Sequence, residues 1–226
     1  MASEYDDCAR REYEEAKGSL AKEAPSQALV RFYSRHDGAI AEAIARAPVK
    51  PACRSGCSYC CYYKVEATAV EVLAIRQFVV SRFAPELIKR AIVQASRNAE
   101  EARDLTHAQH LATNQACPFL VNDACSVYPV RPAKCRSFHA SEVEGCRKSY
   151  ENPNDLELPN SYVPEVFVAA NGTADAFGHA VTEAGFDGRT YDFNSAFLEA
   201  MQNASAQKRM NTRKRVFLKA KVVLSP

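Results

Sequence analysis

The chain has 226 residues, of which 47% are hydrophobic and 25% charged, and its formal net charge is +2. This is an ordinary globular composition, and so small a net charge points to no particular class of partner. No apolar run approaches the roughly 18–20 residues that a membrane span needs, and the polar, acidic start lacks the pattern of a secretory signal. We therefore expect a cytoplasmic protein without a membrane partner.

Apolar residues recur at helical spacing before and after a central cysteine-rich region. The spacing predicts helices over 3–22, from Pro25 to Pro48, around 72–80, from Pro85 to about 112, over 161–184 and over 192–209. The tail VFLKAKVVL, 216–224, alternates weakly and favours a strand. The predicted fold class is mainly α: a helical domain with an irregular, cysteine-rich, metal-binding centre.

We expect a single domain over 1–226, because the length suits one hydrophobic core. Its N-terminal helices occupy 1–48, the cysteine-cluster metal-binding region 50–150, and the C-terminal helices with a basic tail 160–226. Cys8 and His36 lie on the apolar stripes of the first two helices. We interpret both as buried core residues, although a histidine can also serve as a metal ligand.

Eight of the nine cysteines fall between positions 53 and 146. The first group is the run CRSGCSYCC, and the second lies in CPFLVNDACSVYPVRPAKCRSFHASEVEGC. Clustered cysteines in a reducing compartment are more often metal ligands or catalytic groups than disulfides. The predicted metal ligands are Cys53, Cys57, Cys60, Cys61, Cys117, Cys125, Cys135 and Cys146.

Four thiolates complete a tetrahedral zinc site or hold one [4Fe–4S] cluster, so iron, as an Fe–S cluster, and zinc both remain open as the cofactor. Eight cysteines divide into two such sets. Cys60 and Cys61 are adjacent, and we expect their side chains to diverge, which favours two centres. A single centre with spare cysteines stays an alternative.

The second cysteine group opens a segment, 117–160, with five prolines and little periodicity. Such a segment needs something other than a core to hold it, and a metal can do so. The two helices predicted between the cysteine groups, if antiparallel, bring their outer ends together. We therefore expect Cys60 to lie near Cys117.

The segment 50–150 resembles the YkgJ-type cysteine-cluster family of zinc- or iron-chelating domains. The matching features are the C-x3-C-x2-C-C run, Cys117-Pro118-Phe119-Leu120, Cys125 with Tyr128, Arg131-Pro132, Cys135-Arg136 and Cys146. The resemblance implies metal chelation without a defined biochemical role. One branch of the family is linked to lysine methylation of flagellin, but this chain has no glycine-rich loop for the methyl donor.

The functional prediction is a metal-binding protein that chelates iron or zinc. The alternative is an Fe–S or iron-dependent oxidoreductase or modifying enzyme. C-x3-C-x2-C is also the signature of radical-SAM enzymes, but these need a repeated strand–helix barrel that the helical and proline-rich sequence after the motif does not predict.

Several other side chains are candidates for roles around the metal. Arg131 and Arg136 bracket Cys135 and are predicted to bind the cofactor by donating N–H groups to thiolate sulfurs; surface charge is the other interpretation. His139 is interpreted as a hydrogen-bonding neighbour of the site or a ligand in place of a cysteine. His107 and His110, without a carboxylate between them, are expected to have solvated or packing roles.

The C-terminal stretch 208–221 has seven basic residues among fourteen. Such a stretch can follow a phosphate backbone, but more often it is a solvated surface. We therefore expect the metal ion as partner, do not expect nucleic acid, and leave protein partners open.

Overall fold

The computed structural model describes residues 3–155, 157–158 and 161–223. Most of these residues are helical, which confirms the predicted mainly α class. The elements are α1 Glu4–Leu20, α2 Pro25–Arg46, β1 Glu66–Thr68, α3 Ala69–Arg82, α4 Pro85–Glu101, α5 His107–Leu111, β2 Leu120–Val121, β3 Ala124–Cys125, α6 Ala133–Arg136, α7 Val143–Glu151, α8 Pro164–Glu183, β4 Thr190–Asp192, α9 Phe193–Gln202 and α10 Ala206–Asn211.

Helices α1, α2 and α8 pack together at one end of the molecule. The Ser3 side chain accepts the Asp6 amide and closes a capping box at the start of α1. At Gly172 of α8, an added Cβ would lie 2.8 Å from the Tyr5 carbonyl oxygen. Only a glycine allows so close an approach, and it sets the distance between α1 and α8.

Helices α3 and α4 each pack against α9 rather than closely against one another. The predicted antiparallel pairing of these two helices is therefore replaced by a shared partner from the C-terminal third of the chain. The predicted helix to residue 112 was also too long: α4 ends at Glu101. The next helix begins after Thr106, whose side chain accepts the Gln109 amide.

The C-terminal prediction of one helix over 192–209 was wrong in the same way, since α9 ends at Gln202 and α10 is separate. Asp192 caps α9 and accepts the Ser195 amide. Gly185, at φ +80°, follows the end of α8. These ends are local events that the capping residues encode.

The two-stranded sheet of β1 and β4 was not predicted. Ala67 pairs with Tyr191 in an antiparallel register, and a single bridge joins Tyr191 to Val222 of the tail. The tail therefore runs beside β4, although Leu224 of the predicted strand lies outside the described residues.

The larger hydrophobic cluster draws its buried residues from most of the chain, between Ala16 and Ala220 in sequence. It joins α2, α3, α4, α8 and α9. A second, smaller cluster lies between α1, α2 and α8 and contains Cys8, which is 4% exposed. Within the described residues, the helices are all too short or too polar to traverse a bilayer.

The C-terminal tail is fixed by a buried carboxylate. Glu199 of α9 accepts the backbone amides of Leu218, Lys219 and Ala220 at 2.7, 2.8 and 2.8 Å. Lys221 then donates to the carbonyls of Ala102 and Leu105, both at 3.0 Å, where α4 has ended. The tail therefore closes the helical frame through α9 and α4.

We predict that Glu199→Gln lowers the free energy of unfolding by about 1–3 kcal/mol, because one oxygen becomes an NH2 group facing buried N–H donors. Urea denaturation measures the change. The matched control is Glu14→Gln on the exposed face of α1. Equal stabilities of the two variants would show that the tail is not held by this carboxylate.

Candidate metal centre

The first cysteine run lies between the end of α2 and β1. The Cys57 amide donates to the Arg54 carbonyl at 3.1 Å, and Gly56 at φ +83° completes this tight turn. A short 3-10 turn, Tyr59–Tyr62, follows and carries Cys60 and Cys61. The spacing of the run therefore arises from two consecutive turns.

The second cysteine group is attached to the first through the backbone. The Cys117 amide donates to the Cys61 carbonyl at 2.8 Å, and the Gln115 amide donates to the Tyr62 carbonyl at 2.9 Å. These bonds run between segments more than fifty positions apart in the chain. They place the start of the second group beside Cys60 and Cys61, as the sequence predicted.

A hairpin with a two-residue turn, formed by β2 and β3, fixes the position of Cys125. In the pairing of β2 and β3, Leu120 lies opposite Cys125, and Asn122 and Asp123 at the turn have φ values of +50° and +57°. Positive φ at both central residues is the type I′ geometry, which asparagine and aspartate tolerate. Asp123 also accepts the Ser58 hydroxyl at 2.9 Å, so this turn is tied to the first cysteine run.

Cys135 is carried by the four-residue helix α6, whose position depends on Glu71. The buried Glu71 carboxylate accepts the Ala133 amide at 2.8 Å and the Tyr33 hydroxyl at 3.3 Å. Its other oxygen accepts the Thr68 amide at 2.9 Å at the start of α3. One carboxylate thus joins α2, α3 and the helix that carries a predicted metal ligand.

Arg136 strengthens the same junction. Its guanidinium donates to the Asp37 carboxylate at 2.6 Å, the Pro129 carbonyl at 2.6 Å and the Arg131 carbonyl at 3.0 Å, and it lies 3.9 Å from the Tyr33 ring centre. These contacts use all three guanidinium nitrogens and differ from the predicted donation to thiolate sulfur. Arg136 holds the loop before Cys135 instead.

Arg131 lies nearer to the thiols. Its guanidinium stacks on the Tyr128 ring at 3.6 Å, and its charge opposes the rise in the pKa of the Cys60 and Cys125 thiols. Among the described residues its guanidinium donates to the Tyr128 carbonyl at 3.2 Å and not to sulfur, so the structure does not show the predicted N–H donation, and the influence of Arg131 on the thiols is electrostatic.

Cys146 reaches the centre from α7, a helix that the sequence did not predict. Tyr150, one turn further along, packs against Tyr62 and Tyr59 with ring centres 4.9 and 5.6 Å apart. The Tyr63 hydroxyl donates to the Cys146 carbonyl at 3.2 Å. Aromatic contacts therefore hold α7 against the 3-10 turn of the first run.

The buried thiols affect one another's ionisation. Burial raises the pKa of the Cys117 thiol to about 12, and the neighbouring Cys125 and Cys60 add to the rise. Burial also raises the pKa of Cys135 well above its usual value, helped by Cys117, Cys60 and Cys125. We call Cys60, Cys117, Cys125 and Cys135, whose pKa values are linked in this way, the inner group.

Cys53, Cys57 and Cys146 form an outer group. Burial raises the pKa of the Cys146 thiol to about 11, with further contributions from Cys53, Cys57 and, last, Cys60. Burial raises the pKa of Cys53 as well, the Ala140 amide, which donates to its sulfur at 3.4 Å, opposes the rise, and Cys60 and then Cys57 add to it. Cys60 lies between the two groups.

Cys60 and Cys61 are adjacent in the 3-10 turn Tyr59–Tyr62. The neighbouring Cys61 thiol, followed by burial, raises the pKa of Cys60. The divergence of the two side chains stays a prediction.

The donor set fits a soft or borderline cation such as zinc or iron. The backbone amides of Phe119 and Leu120 lower the pKa of the Cys117 thiol, and the Val127 amide lowers that of Cys125, both against the rise that burial causes. Such N–H groups stabilise thiolates, and a bound cation lowers the pKa of a thiol that burial has raised. The buried Nδ1 of His139 has no protein partner among the described residues.

The thiols are neighbours without being converged. Among the described residues, which include all eight predicted ligands, no three His, Cys, Asp or Glu side chains are arranged as they would be around an ion. Binding a metal would therefore require the thiols to draw together. All nine cysteines are free thiols.

Glu71, Tyr33 and Tyr63 were missed as supports of the site. Glu71 had a detectable signal, because Thr68 and Glu71 have the spacing of a capping box. The basic tail is partly used within the chain: Arg209 and Arg215 donate to the carbonyls of Arg215 and Phe217 at 2.6 and 2.7 Å.

Comparison with known families supports the sequence resemblance. Residues 52–156 match the model of the CxxCxxCC family, described as a putative zinc- or iron-chelating domain. The match covers just under half of the chain and includes every member of the inner and outer groups. Searches of the curated proteins and of the solved structures gave no match.

We predict that Glu71→Gln lowers metal affinity by about 10–100-fold. The glutamine NH2 group cannot accept a hydrogen bond, so one of the contacts with Ala133 or Thr68 is lost and α6 shifts together with Cys135. Competition with a chromophoric chelator measures the affinity. Glu86→Gln, an exposed glutamate in the first turn of α4, is the matched control. Unchanged affinity in Glu71→Gln would remove this carboxylate from the support of the site.

We predict that Cys8→Ala keeps its full metal content, because Cys8 lies in the smaller hydrophobic cluster between α1, α2 and α8. Cys135→Ala, the same change within the inner group, should lose metal. Elemental analysis of the two purified variants compares them directly. Loss of most metal from Cys8→Ala would place this thiol among the ligands.

Proposed function

We propose that this chain, which carries a domain of the zinc- or iron-chelating CxxCxxCC family, is a metal-binding protein that holds iron or zinc through its clustered cysteines. The proposed ligands come from Cys53, Cys57, Cys60, Cys61, Cys117, Cys125, Cys135 and Cys146. Iron as an Fe–S cluster and zinc are both compatible with thiolate ligands. The observation that carries the proposal is the backbone bond from the Cys117 amide to the Cys61 carbonyl at 2.8 Å, which brings the two cysteine groups side by side.

The support for metal over disulfide chemistry lies in the surroundings of the sulfurs. The Ala140 amide donates to the Cys53 sulfur at 3.4 Å, and backbone amides oppose the rise in the pKa of Cys117 and Cys125. Hydrogen bonds of this kind tune thiolate–metal bonds, and a chain kept in a reducing compartment such as the cytoplasm would maintain the thiols. A metal would also link 117–160 to the helices, which supports treating 1–226 as one domain.

A second candidate, an iron-dependent modifying enzyme, is favoured by one observation. A cleft of about 300 Å³ adjoins Cys117 and is lined by Tyr62, Arg90, Gln94 and Asp123 among others. This is the lower end of the volume of small-molecule sites. A reversible redox signal in the metal-loaded protein, changed by a small molecule in the cleft, would distinguish this candidate from a metal carrier.

We predict that anaerobically purified protein contains iron or zinc. Metal and sulfide analysis measures the content. A parallel titration counts how many of the nine cysteines react as free thiols. Folded, metal-free protein that binds neither ion when they are supplied would remove the proposed function.

We further predict that, when a chelator removes the metal, proteases cut within residues 117–160 before they cut the helices that precede and follow this segment. Structural zinc contributes about 10 kcal/mol of apparent binding free energy, far more than the packing of one loop. Cys135→Ser should reproduce the effect and cost much more than the roughly 1 kcal/mol of an average substitution. Limited proteolysis read by mass spectrometry, with circular dichroism for helix content, is the test. Equal protection with and without chelator contradicts the coupling of metal to fold.

A further inference from the structure

The cleft of about 300 Å³ beside Cys117 has walls from three separate segments of the chain: helix α4, the hairpin of β2 and β3, and the 3-10 turn of the first cysteine run. Its lining residues with polar side chains, apart from Cys117, are Tyr62, Arg90, Gln94, Asn122 and Asp123. A concave site with a few convergent polar groups is the usual form of a small-molecule site, and this volume is at the lower end for such sites. An occupant is therefore a small metabolite rather than a large cofactor.

Arg90 brings the positive charge among the lining residues. Its guanidinium donates to the Leu120 carbonyl, which holds it against the hairpin. Within the part of the chain that the structure describes, its other N–H groups make no hydrogen bond and it forms no ion pair. These N–H groups remain available to a planar acceptor such as a carboxylate.

Asp123 brings the negative charge to the opposite wall. One of its carboxylate oxygens accepts the Ser58 hydroxyl at 2.9 Å, and its backbone, at φ +57°, lies in the turn of the hairpin. Its second oxygen accepts no hydrogen bond, and no lysine, arginine or histidine of the described residues pairs with it. This oxygen remains available to an ammonium group.

Arg90 and Asp123 line the same cleft without forming an ion pair, so their charged atoms are more than 4.0 Å apart. Each is instead held by a hydrogen bond to another residue, Leu120 for Arg90 and Ser58 for Asp123. Two opposite charges held apart in a small cleft are complementary to a molecule that carries both charges. Groups that are already held in place lose little conformational freedom when a ligand binds.

We propose that this cleft binds a small zwitterion of amino-acid size, with its carboxylate at Arg90 and its ammonium group at Asp123. Pro118 and Leu120 supply the apolar part of the lining, and an occupant also lies against Cys117. The proposal names the class of small molecule for the second candidate function. It goes beyond the proposed metal binding and does not require it, because neither charged group is one of the proposed metal ligands.

A series of unbranched ω-amino acids, from glycine to 6-aminohexanoate, tests the proposal, because its members differ in the distance between the two charges. Each is titrated into the protein as purified, and isothermal titration calorimetry measures the affinity. One member should bind at least about tenfold more tightly than the alkyl carboxylate and the alkylamine of the same length, since each of these lacks one charged contact. Equal affinities for the zwitterions and their single-charge analogues throughout the series would overturn the proposal.

Two conservative variants then separate the two charges. Arg90→Gln and Asp123→Asn should each bind the best member of the series at least about tenfold more weakly. Asparagine tolerates the same positive φ and can still accept the Ser58 hydroxyl, so the turn keeps its shape. Lys89→Gln and Asp104→Asn remove exposed charges outside the cleft and, as matched controls, should bind like the wild type. Unchanged affinity in either cleft variant would overturn the proposed pairing.

Metal analysis of the same preparations separates this proposal from the proposed function. Protein that cannot be loaded with iron or zinc but binds the zwitterion would remove the proposed function and support the cleft as a site. Protein that holds metal but binds no member of the series would overturn the cleft proposal alone.

Discussion

The carboxylate of Glu71 is the interaction on which both the frame and the site depend. It receives the first amide of α6, the Tyr33 hydroxyl of α2 and the amide that begins α3. A buried carboxylate is stable only when its oxygens are fully hydrogen-bonded, so each of these segments has one permitted position. Cys135 is two residues beyond the amide that Glu71 holds, and the helical frame therefore determines where this thiol lies.

The Arg136 guanidinium extends the junction toward α2 and the proline-rich loop, through Asp37 and the Pro129 carbonyl. The Tyr33 ring lies between Glu71 and Arg136 and contacts both. This arrangement explains why a loop with few apolar residues adopts one conformation beside the core. The cysteines are thus presented by a polar network, and a bound metal would add to an arrangement that already exists.

The sequence by itself determined the longer helices, α1, α2, α3, α4, α8 and α9, and the burial of Cys8, because periodicity is a local signal. It also placed Cys117 near Cys60, by an antiparallel helix pair that the fold does not contain. Only the tertiary structure decided that α9 separates α3 from α4, that the Glu71 carboxylate holds α6, and that Arg136 is directed to Asp37. These outcomes depend on partners many residues away, and a side chain chooses among such partners only when packing has brought them together.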